Sequence, residues 1–149
     1  MAPEVDPLSE AEAEDASEDD TSPIMEAQPY TVDDIIAEGG FLGRDALQGL
    51  VDRLSSKKNL ILQGPPGTGK TWLAKRLAKA HIGSRAPQPD QLRSVQFHPS
   101  LSYEDFVRGY RPSSSGLTLT DGIFLQVVEA ARAQPDLPHV LIIEEINRG

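Results

Sequence analysis

Residues 64–71 read Gly-Pro-Pro-Gly-Thr-Gly-Lys-Thr and match the pattern G-x-x-x-x-G-K-[ST] at every fixed position. Just before them, residues 59–63 (Asn-Leu-Ile-Leu-Gln) form a short apolar run that predicts a strand. Just after them, residues 71–82 show the apolar spacing of a helix, and Gly83 ends it. The motif therefore lies between a predicted strand and a predicted helix, which is the context in which such a loop holds phosphate groups.

The residue types in this loop suit the binding of phosphate. Glycines allow the backbone to turn so that several N–H groups face one anion, and the start of the following helix adds its positive end. Lys70 supplies a charge for the outer phosphates, and Thr71 supplies a hydroxyl for Mg²⁺. A plain connecting turn is the alternative, but it does not account for a lysine at a helix start. We predict that the nucleotide-binding residues are Gly64, Pro65, Pro66, Gly67, Thr68, Gly69, Lys70 and Thr71.

Two acidic residues follow the last apolar run of the chain. Residues 139–143 (His-Val-Leu-Ile-Ile) predict a strand buried on both faces, and Glu144 and Glu145 come next. We expect Glu144 to hold Mg²⁺ together with Thr71, and Glu145 to act as the catalytic base that activates a water. An acidic strand end without function is the alternative. In phosphate-loop proteins the first acid of such a pair is more often aspartate than glutamate. Because Glu144 is one methylene longer, we expect a different metal geometry here.

The remaining patterns predict an α/β fold. Helices are expected at 31–38, with Thr31 as its cap, and at 45–55. A second strand is expected at 94–97, and a helix capped by Asp121 at about 122–133. Strands that alternate with helices favour a parallel sheet.

Composition divides the chain into two parts. Of 23 acidic residues, ten lie in residues 1–29, which contain no Lys or Arg, so the net charge of -9 belongs to this segment. Its composition predicts a disordered acidic tail, and the ordered domain is expected at 30–149. The chain has no cysteine, and it shows neither a signal peptide nor an apolar run of membrane-spanning length. These features predict a cytoplasmic protein without disulfides, and they argue against a polybasic coat for nucleic acid.

Four segments together resemble one known family. They are residues 64–71, the block Val95-Gln-Phe-His-Pro-Ser-Leu-Ser-Tyr-Glu-Asp-Phe-Val-Arg-Gly-Tyr-Arg-Pro112, Asp121-Gly-Ile-Phe124, and Ile143-Glu-Glu-Ile-Asn-Arg148. In this order they resemble the McrB-type AAA+ NTPases, the motor subunits of modified-cytosine restriction systems. The long block is the most specific of the four, since many families share the loop.

The resemblance implies a P-loop NTPase fold of three layers, α/β/α, and a ring-forming motor that hydrolyses ATP or GTP with Mg²⁺ at subunit interfaces. It also implies a separate endonuclease subunit of the McrC kind as partner, indirect action on DNA, and no membrane. Arg148 is a candidate for the subunit interface. A complete module of this family carries further strands with a sensor, an arginine finger and a helical lid. We therefore expect residues 30–149 to be the N-terminal part of a module, incomplete at its C-terminus, with weak nucleotide binding and little turnover by itself.

Two other hypotheses stay open from the sequence. In the first, the chain is a nucleotide-binding adaptor that joins a complete ring without turnover. In the second, it is a general AAA+ remodelling chaperone. Four charged residues near the specific block favour structural roles, the acids at a helix start and the arginines in surface salt bridges: Glu104, Asp105, Arg108 and Arg111.

Overall fold

The structure is a computed structural model that describes residues 28–114 and 116–148. The predicted acidic tail therefore lies outside the described residues, except for Gln28 and Pro29. The helices are α1 (Val32–Ala37), α2 (Arg44–Lys57), α3 (Lys70–Ile82), α4 (Tyr103–Phe106) and α5 (Ile123–Ala133), followed by a short 3₁₀ helix at Ile146–Arg148. The strands are β1 (Leu92–Gln96), β2 (Arg108–Ser113), β3 (Gly116–Asp121) and β4 (Val140–Glu144). None of the described helices is long and apolar enough to cross a membrane.

The hydrophobic core lies where α1, α2 and α3 meet. Its buried residues are Tyr30, Val32, Ile35, Leu47, Leu73 and Leu77. The three helices form close to the predicted positions because each presents an apolar stripe of helical period to this core. Burial, followed by the nearby Glu38 carboxylate, raises the pKa of Tyr30 to about 12. The core thus fixes α3, the helix that follows the phosphate loop.

Strands β1 and β4 pair in parallel, and the register sets Ser94 beside Ile142 and Gln96 beside Glu144. The expected strand at 59–63 is wrong, because no described strand pairs with this segment. Ile61 is consequently 83% exposed. The expected burial of β4 on both faces is also wrong. Ile142 is its one buried residue, because the described sheet has two strands and leaves one edge of each open.

Strands β2 and β3 form an antiparallel hairpin that the sequence reading missed. Ser113 and Gly116 form the last pair of this hairpin, where the chain passes from β2 to β3. The expectation that Asp121 caps a helix is wrong. Gly122 is the N-cap of α5, and the Asp121 side chain instead pairs with Arg108 across the hairpin.

Candidate nucleotide-binding site

Residues 64–71 connect the segment 59–63, which is in neither a helix nor a strand, to α3, whose first residues they include. Gly67 and Gly69 have φ angles of 78° and 77°, a left-handed conformation that residues with a side chain rarely adopt. The Thr68 hydroxyl donates a hydrogen bond of 2.8 Å to the carbonyl of Pro65 and closes the turn. Gly69 is the N-cap of α3, and Lys70 is its first residue. The first amides of α3 thus belong to the loop, as expected for an anion site.

Lys70 folds back over the loop. Its Nζ donates to the carbonyls of Gly64 at 2.9 Å and Pro65 at 2.6 Å, and it lies 3.4 Å from the hydroxyl of Thr68. Within the described part of the chain, no carboxylate lies within ion-pair distance of this ammonium group. A cation that has only neutral oxygens as partners remains available to an anion such as a phosphate.

Thr71 and Glu144 meet although they are 73 positions apart in the chain. The Thr71 hydroxyl donates to Glu144 Oε2 at 3.0 Å. The backbone of Glu144 is held as well, since its carbonyl accepts a hydrogen bond of 2.8 Å from the amide of Phe97. The structure therefore brings the end of the phosphate loop and the end of β4 to one place.

The chemistry of this pair suits Mg²⁺. A threonine hydroxyl that donates its proton to a carboxylate keeps its oxygen lone pairs available for a cation. Mg²⁺ prefers oxygen ligands, and it usually takes one or two from protein while phosphates and waters complete its shell. Thr71 and Glu144 fit that role and would hold the ion, which would neutralise charge on the phosphates of a bound nucleotide.

Glu145 and Arg148 lie next to this pair. Glu145 has a left-handed backbone, with φ of 55°, so the chain turns sharply as soon as β4 ends. Its Oε2 lies 3.1 Å from Nε of Arg148, and the two side chains are 41% and 67% exposed, respectively. A cavity of about 1200 Å³ has the phosphate loop, both glutamates and Arg148 in its wall. Every residue predicted for catalysis, metal or interface therefore lines one cavity.

Three residues near this site were not predicted from the sequence as part of it. Ser94 of β1 donates a hydrogen bond of 2.9 Å to Glu144 Oε1, and Lys75 of α3 lies 3.8 Å from the same oxygen. Phe41 is 65% exposed and lines a smaller cavity of about 390 Å³ beside Lys70. Lys75 had the pattern of a solvated helix face. Its position four residues after Thr71, on the same side of α3, was the signal that could have identified it.

The charged residues of the specific block form a separate group. Ser102 and Asp105 form a capping box at the start of α4, and Asp105 also pairs with Arg111. Arg108 pairs with Asp121 at 2.5 Å. The structure thus agrees with the structural roles predicted for Asp105, Arg108 and Arg111, and it places Glu104 in the first turn of α4.

Comparison with known proteins adds to this geometry. Residues 59–149 match the AAA domain, dynein-related subfamily. Over 127 residues, 85% of this chain, the sequence is 44% identical to the type IV methyl-directed restriction enzyme EcoKMcrB subunit of Escherichia coli strain K12. It is 27% identical over 114 residues to Protein sickie of Drosophila melanogaster. The matched regions span 27% of the length of the first relative and 5% of the second.

Proposed function

Because this chain belongs to the AAA domain family, in its dynein-related subfamily, and is of the McrB type, we propose that it binds and hydrolyses a nucleoside triphosphate with Mg²⁺. The family membership confirms the expected P-loop α/β fold. The hydrogen bond between Thr71 and Glu144 carries the proposal, since it joins the phosphate loop to the strand-end acid. A loop that merely connected a strand to a helix would not need this partner.

The roles follow from the positions. The loop amides and Lys70 hold the phosphates, while Thr71 and Glu144 hold the metal ion. Glu145 acts as the base that orients and deprotonates the attacking water, because its side chain reaches the same cavity and is accessible. Transfer of a phosphoryl group to water needs a base that takes a proton from the attacking water, and a glutamate carboxylate can act as that base.

We further propose that the chain works in a ring with copies of itself, as the motor of a restriction system. The similarity to the EcoKMcrB subunit supports this, together with the accessible Arg148 at the edge of the cavity. In this proposal an endonuclease subunit of the McrC kind is the partner, and DNA is acted on through that partner. ATP and GTP are both candidate substrates.

The test separates binding from turnover. Fluorescent ATP and GTP analogues are titrated into the chain with Mg²⁺ and with EDTA, and phosphate release is measured on the same samples. We expect saturable binding that Mg²⁺ tightens. In Glu145→Gln, binding is retained and any phosphate release falls at least tenfold, because the base is lost. Glu129→Gln, an exposed change on α5, is the matched control and leaves both unchanged. A chain that binds neither analogue would overturn the proposal.

Ring formation has its own measurement. Mass photometry with and without nucleotide reports the oligomer, and Arg148→Ala tests the interface role. We expect nucleotide to shift the unaltered chain to larger species and Arg148→Ala to reduce that shift. If Arg148→Ala assembles as well as the unaltered chain, the interface role of Arg148 is wrong while nucleotide binding stands.

A further inference from the structure

The carboxylate of Glu144 is held at both oxygens. Thr71 donates to Oε2 at 3.0 Å and Ser94 donates to Oε1 at 2.9 Å. The two donors come from different elements, α3 and β1, and Glu144 itself ends β4. Of the three, Ser94 has no place in the nucleotide site proposed above.

The register of the sheet explains how Ser94 reaches Glu144. Ser94 is paired with Ile142, and Glu144 lies two residues further along the same strand. Side chains two residues apart on a strand point to the same face, so Ser94 and Glu144 share a face on a diagonal between neighbouring strands. A diagonal is longer than a direct cross-strand pair, and long side chains are the ones that span it. Because the Ser94 side chain is short, the side chain at position 144 has to span most of the distance between the two strands.

Glutamate supplies that length. An aspartate at 144 would place its carboxylate one carbon–carbon bond, about 1.5 Å, closer to the backbone. From there it could not keep both the contact with Thr71 and the contact with Ser94. The serine in β1 and the glutamate in β4 therefore belong together as one arrangement.

We propose that Ser94 is a positioning residue that adapts the metal site to a glutamate at position 144. This inference rests on the function proposed above. A glutamate has one more rotatable bond than an aspartate, and the hydrogen bond from Ser94 to Oε1 restricts that freedom. With Oε1 held, Oε2 faces Thr71, and the pair is preorganised for the cation.

Lys75 cannot replace Ser94 in this role. Both side chains are exposed, but Nζ of Lys75 lies 3.8 Å from Oε1, beyond hydrogen-bond distance, whereas the Ser94 hydroxyl lies 2.9 Å from it. An ion pair of this kind is screened by solvent and holds a carboxylate loosely. Lys75 partly neutralises the charge of the Glu144 carboxylate, whereas the hydrogen bond from Ser94 fixes the orientation of that carboxylate.

The test is a double-mutant cycle with Ser94→Ala, Glu144→Asp and the double variant. The readout is the Mg²⁺ concentration that half-maximally tightens binding of a fluorescent ATP or GTP analogue, measured without reliance on turnover. We expect Ser94→Ala to raise this concentration about fivefold, the loss of one hydrogen bond. Affinity for the analogue in EDTA should stay within about twofold, because Ser94 touches no part of the phosphate loop.

Two further variants make the result specific. Ser94→Thr keeps the hydroxyl and should restore the Mg²⁺ requirement, and in the Glu144→Asp background Ser94→Ala should have no further effect. Ser56→Ala, an exposed serine on α2, is the matched control and should behave like the unaltered chain. The proposal is overturned if Ser94→Ala leaves the Mg²⁺ requirement unchanged, if it acts equally in the Glu144→Asp background, or if Ser94→Thr fails to restore it.

Failure of the function is distinguishable from failure of this inference. If the unaltered chain binds neither analogue, the proposed function falls and the positioning role falls with it. If the chain binds nucleotide and Mg²⁺ tightens it equally with and without the Ser94 hydroxyl, the positioning role alone is wrong.

Discussion

Two clusters of charged residues in this chain look alike in sequence and differ in the structure. The phosphate-loop cluster consists of Lys70, Thr71, Lys75, Ser94 and Glu144. The hairpin cluster consists of Ser102, Asp105, Arg108, Arg111 and Asp121. Each combines cations, carboxylate and hydroxyl groups from more than one element. The hairpin cluster joins elements that follow one another in the chain, whereas the phosphate-loop cluster joins Thr71 to Glu144, 73 positions away.

The difference lies in how their charges are balanced. In the hairpin cluster each arginine has its own aspartate, and Asp105 also accepts hydrogen bonds from Ser102. In the phosphate-loop cluster Glu144 is shared by two hydroxyls and a half-exposed lysine. Among the residues that the structure describes, the partners of the Lys70 ammonium group are two backbone carbonyls and a threonine hydroxyl. One cluster is complete, and the other has a cation left over at a helix N-terminus. A cation without a carboxylate partner at a helix N-terminus is what the proposed phosphate site requires.

The largest expected effect is on nucleotide affinity. Lys70→Ala removes the unbalanced cation and should weaken binding of a fluorescent ATP or GTP analogue about a hundredfold, since charged hydrogen bonds to phosphate are lost. Arg111→Ala removes a cation from the hairpin cluster and should leave the affinity unchanged. Titration of both variants checks this. Equal weakening by the two would show that the hairpin also faces the nucleotide.

The second effect concerns how the hairpin cluster is attached. A Cβ added at Gly122 would lie 2.5 Å from the carbonyl oxygen of Asp105 and from the carbonyl carbon of Phe106, so backbone must move. Gly122→Ala should lower the free energy of unfolding by about 1–3 kcal/mol, measured by urea denaturation. Nucleotide affinity of the folded fraction should remain.

Gly49→Ala is the matched control for that change. Gly49 lies inside α2 and a Cβ there meets no atom within 4 Å. Alanine in a helix interior is favoured over glycine, so this variant should be as stable as the unaltered chain or about 0.5–1 kcal/mol more stable. If Gly122→Ala proves equally harmless, the close approach between Gly122, which joins the hairpin to α5, and the backbone of α4 does not hold in solution.

The same two clusters show what sequence reasoning can reach. The loop, α3 and the two acids at the end of β4 were predicted because a motif with fixed spacing and a helical period is a local signal. The hairpin was missed because β2, Arg-Gly-Tyr-Arg-Pro-Ser, shows no alternation of apolar and polar residues and both strands are largely exposed. The alternation of leucine and threonine in β3, from Leu117 to Thr120, was the signal that could have identified it. Asp121 was misread as a cap because its partner, Arg108, lies 13 residues back in the chain.

Non-local pairing also explains the errors in the sheet. The apolar run at 59–63 looks like a strand, but a strand forms by pairing with a neighbouring strand, and no described strand pairs with this segment. Ser94 has no motif around it, and its role depends on the register between β1 and β4. Contacts set by register are the part of a site that composition and spacing do not contain.

A third prediction uses the titration of Asp105. Hydrogen bonds from Arg111 and then from Ser102 lower the pKa of Asp105 to about 2. A carboxylate whose folded pKa is depressed adds stability above its unfolded pKa, near 4, and that stability is lost as pH falls toward 2. The unaltered chain should therefore lose stability between pH 4 and pH 2 in part through this group.

Asp105→Asn removes this titration. The variant should be less stable than the unaltered chain at pH 6, and the difference should shrink as the pH approaches 2. Urea denaturation across this pH range measures it, and Asp136→Asn, an exposed acid after α5, is the control. A difference that stays constant from pH 6 to pH 2 would show that the carboxylate charge is not what Arg111 and Ser102 hold.

The smallest expected effect is the coupling free energy of the ion pair between Arg108 and Asp121. Its side chains are 48% and 32% exposed, so solvent screens the attraction, and pairs of this kind contribute little. A double-mutant cycle with Arg108→Ala and Asp121→Ala should give a coupling that is much smaller than the effect of Gly122→Ala and that disappears in high salt.

The three variants of the Arg108–Asp121 pair also test whether the hairpin cluster is purely structural. If the hairpin charges serve only to neutralise one another, removing both partners should cost less than the sum of the two single changes, and nucleotide binding should be untouched in all three variants. If instead Arg108→Ala weakens nucleotide binding or ring assembly while Asp121→Ala does not, Arg108 has a functional role beyond its ion pair with Asp121. The hairpin cluster would then be functional too, and charge balance within one chain would no longer separate a structural cluster from a site.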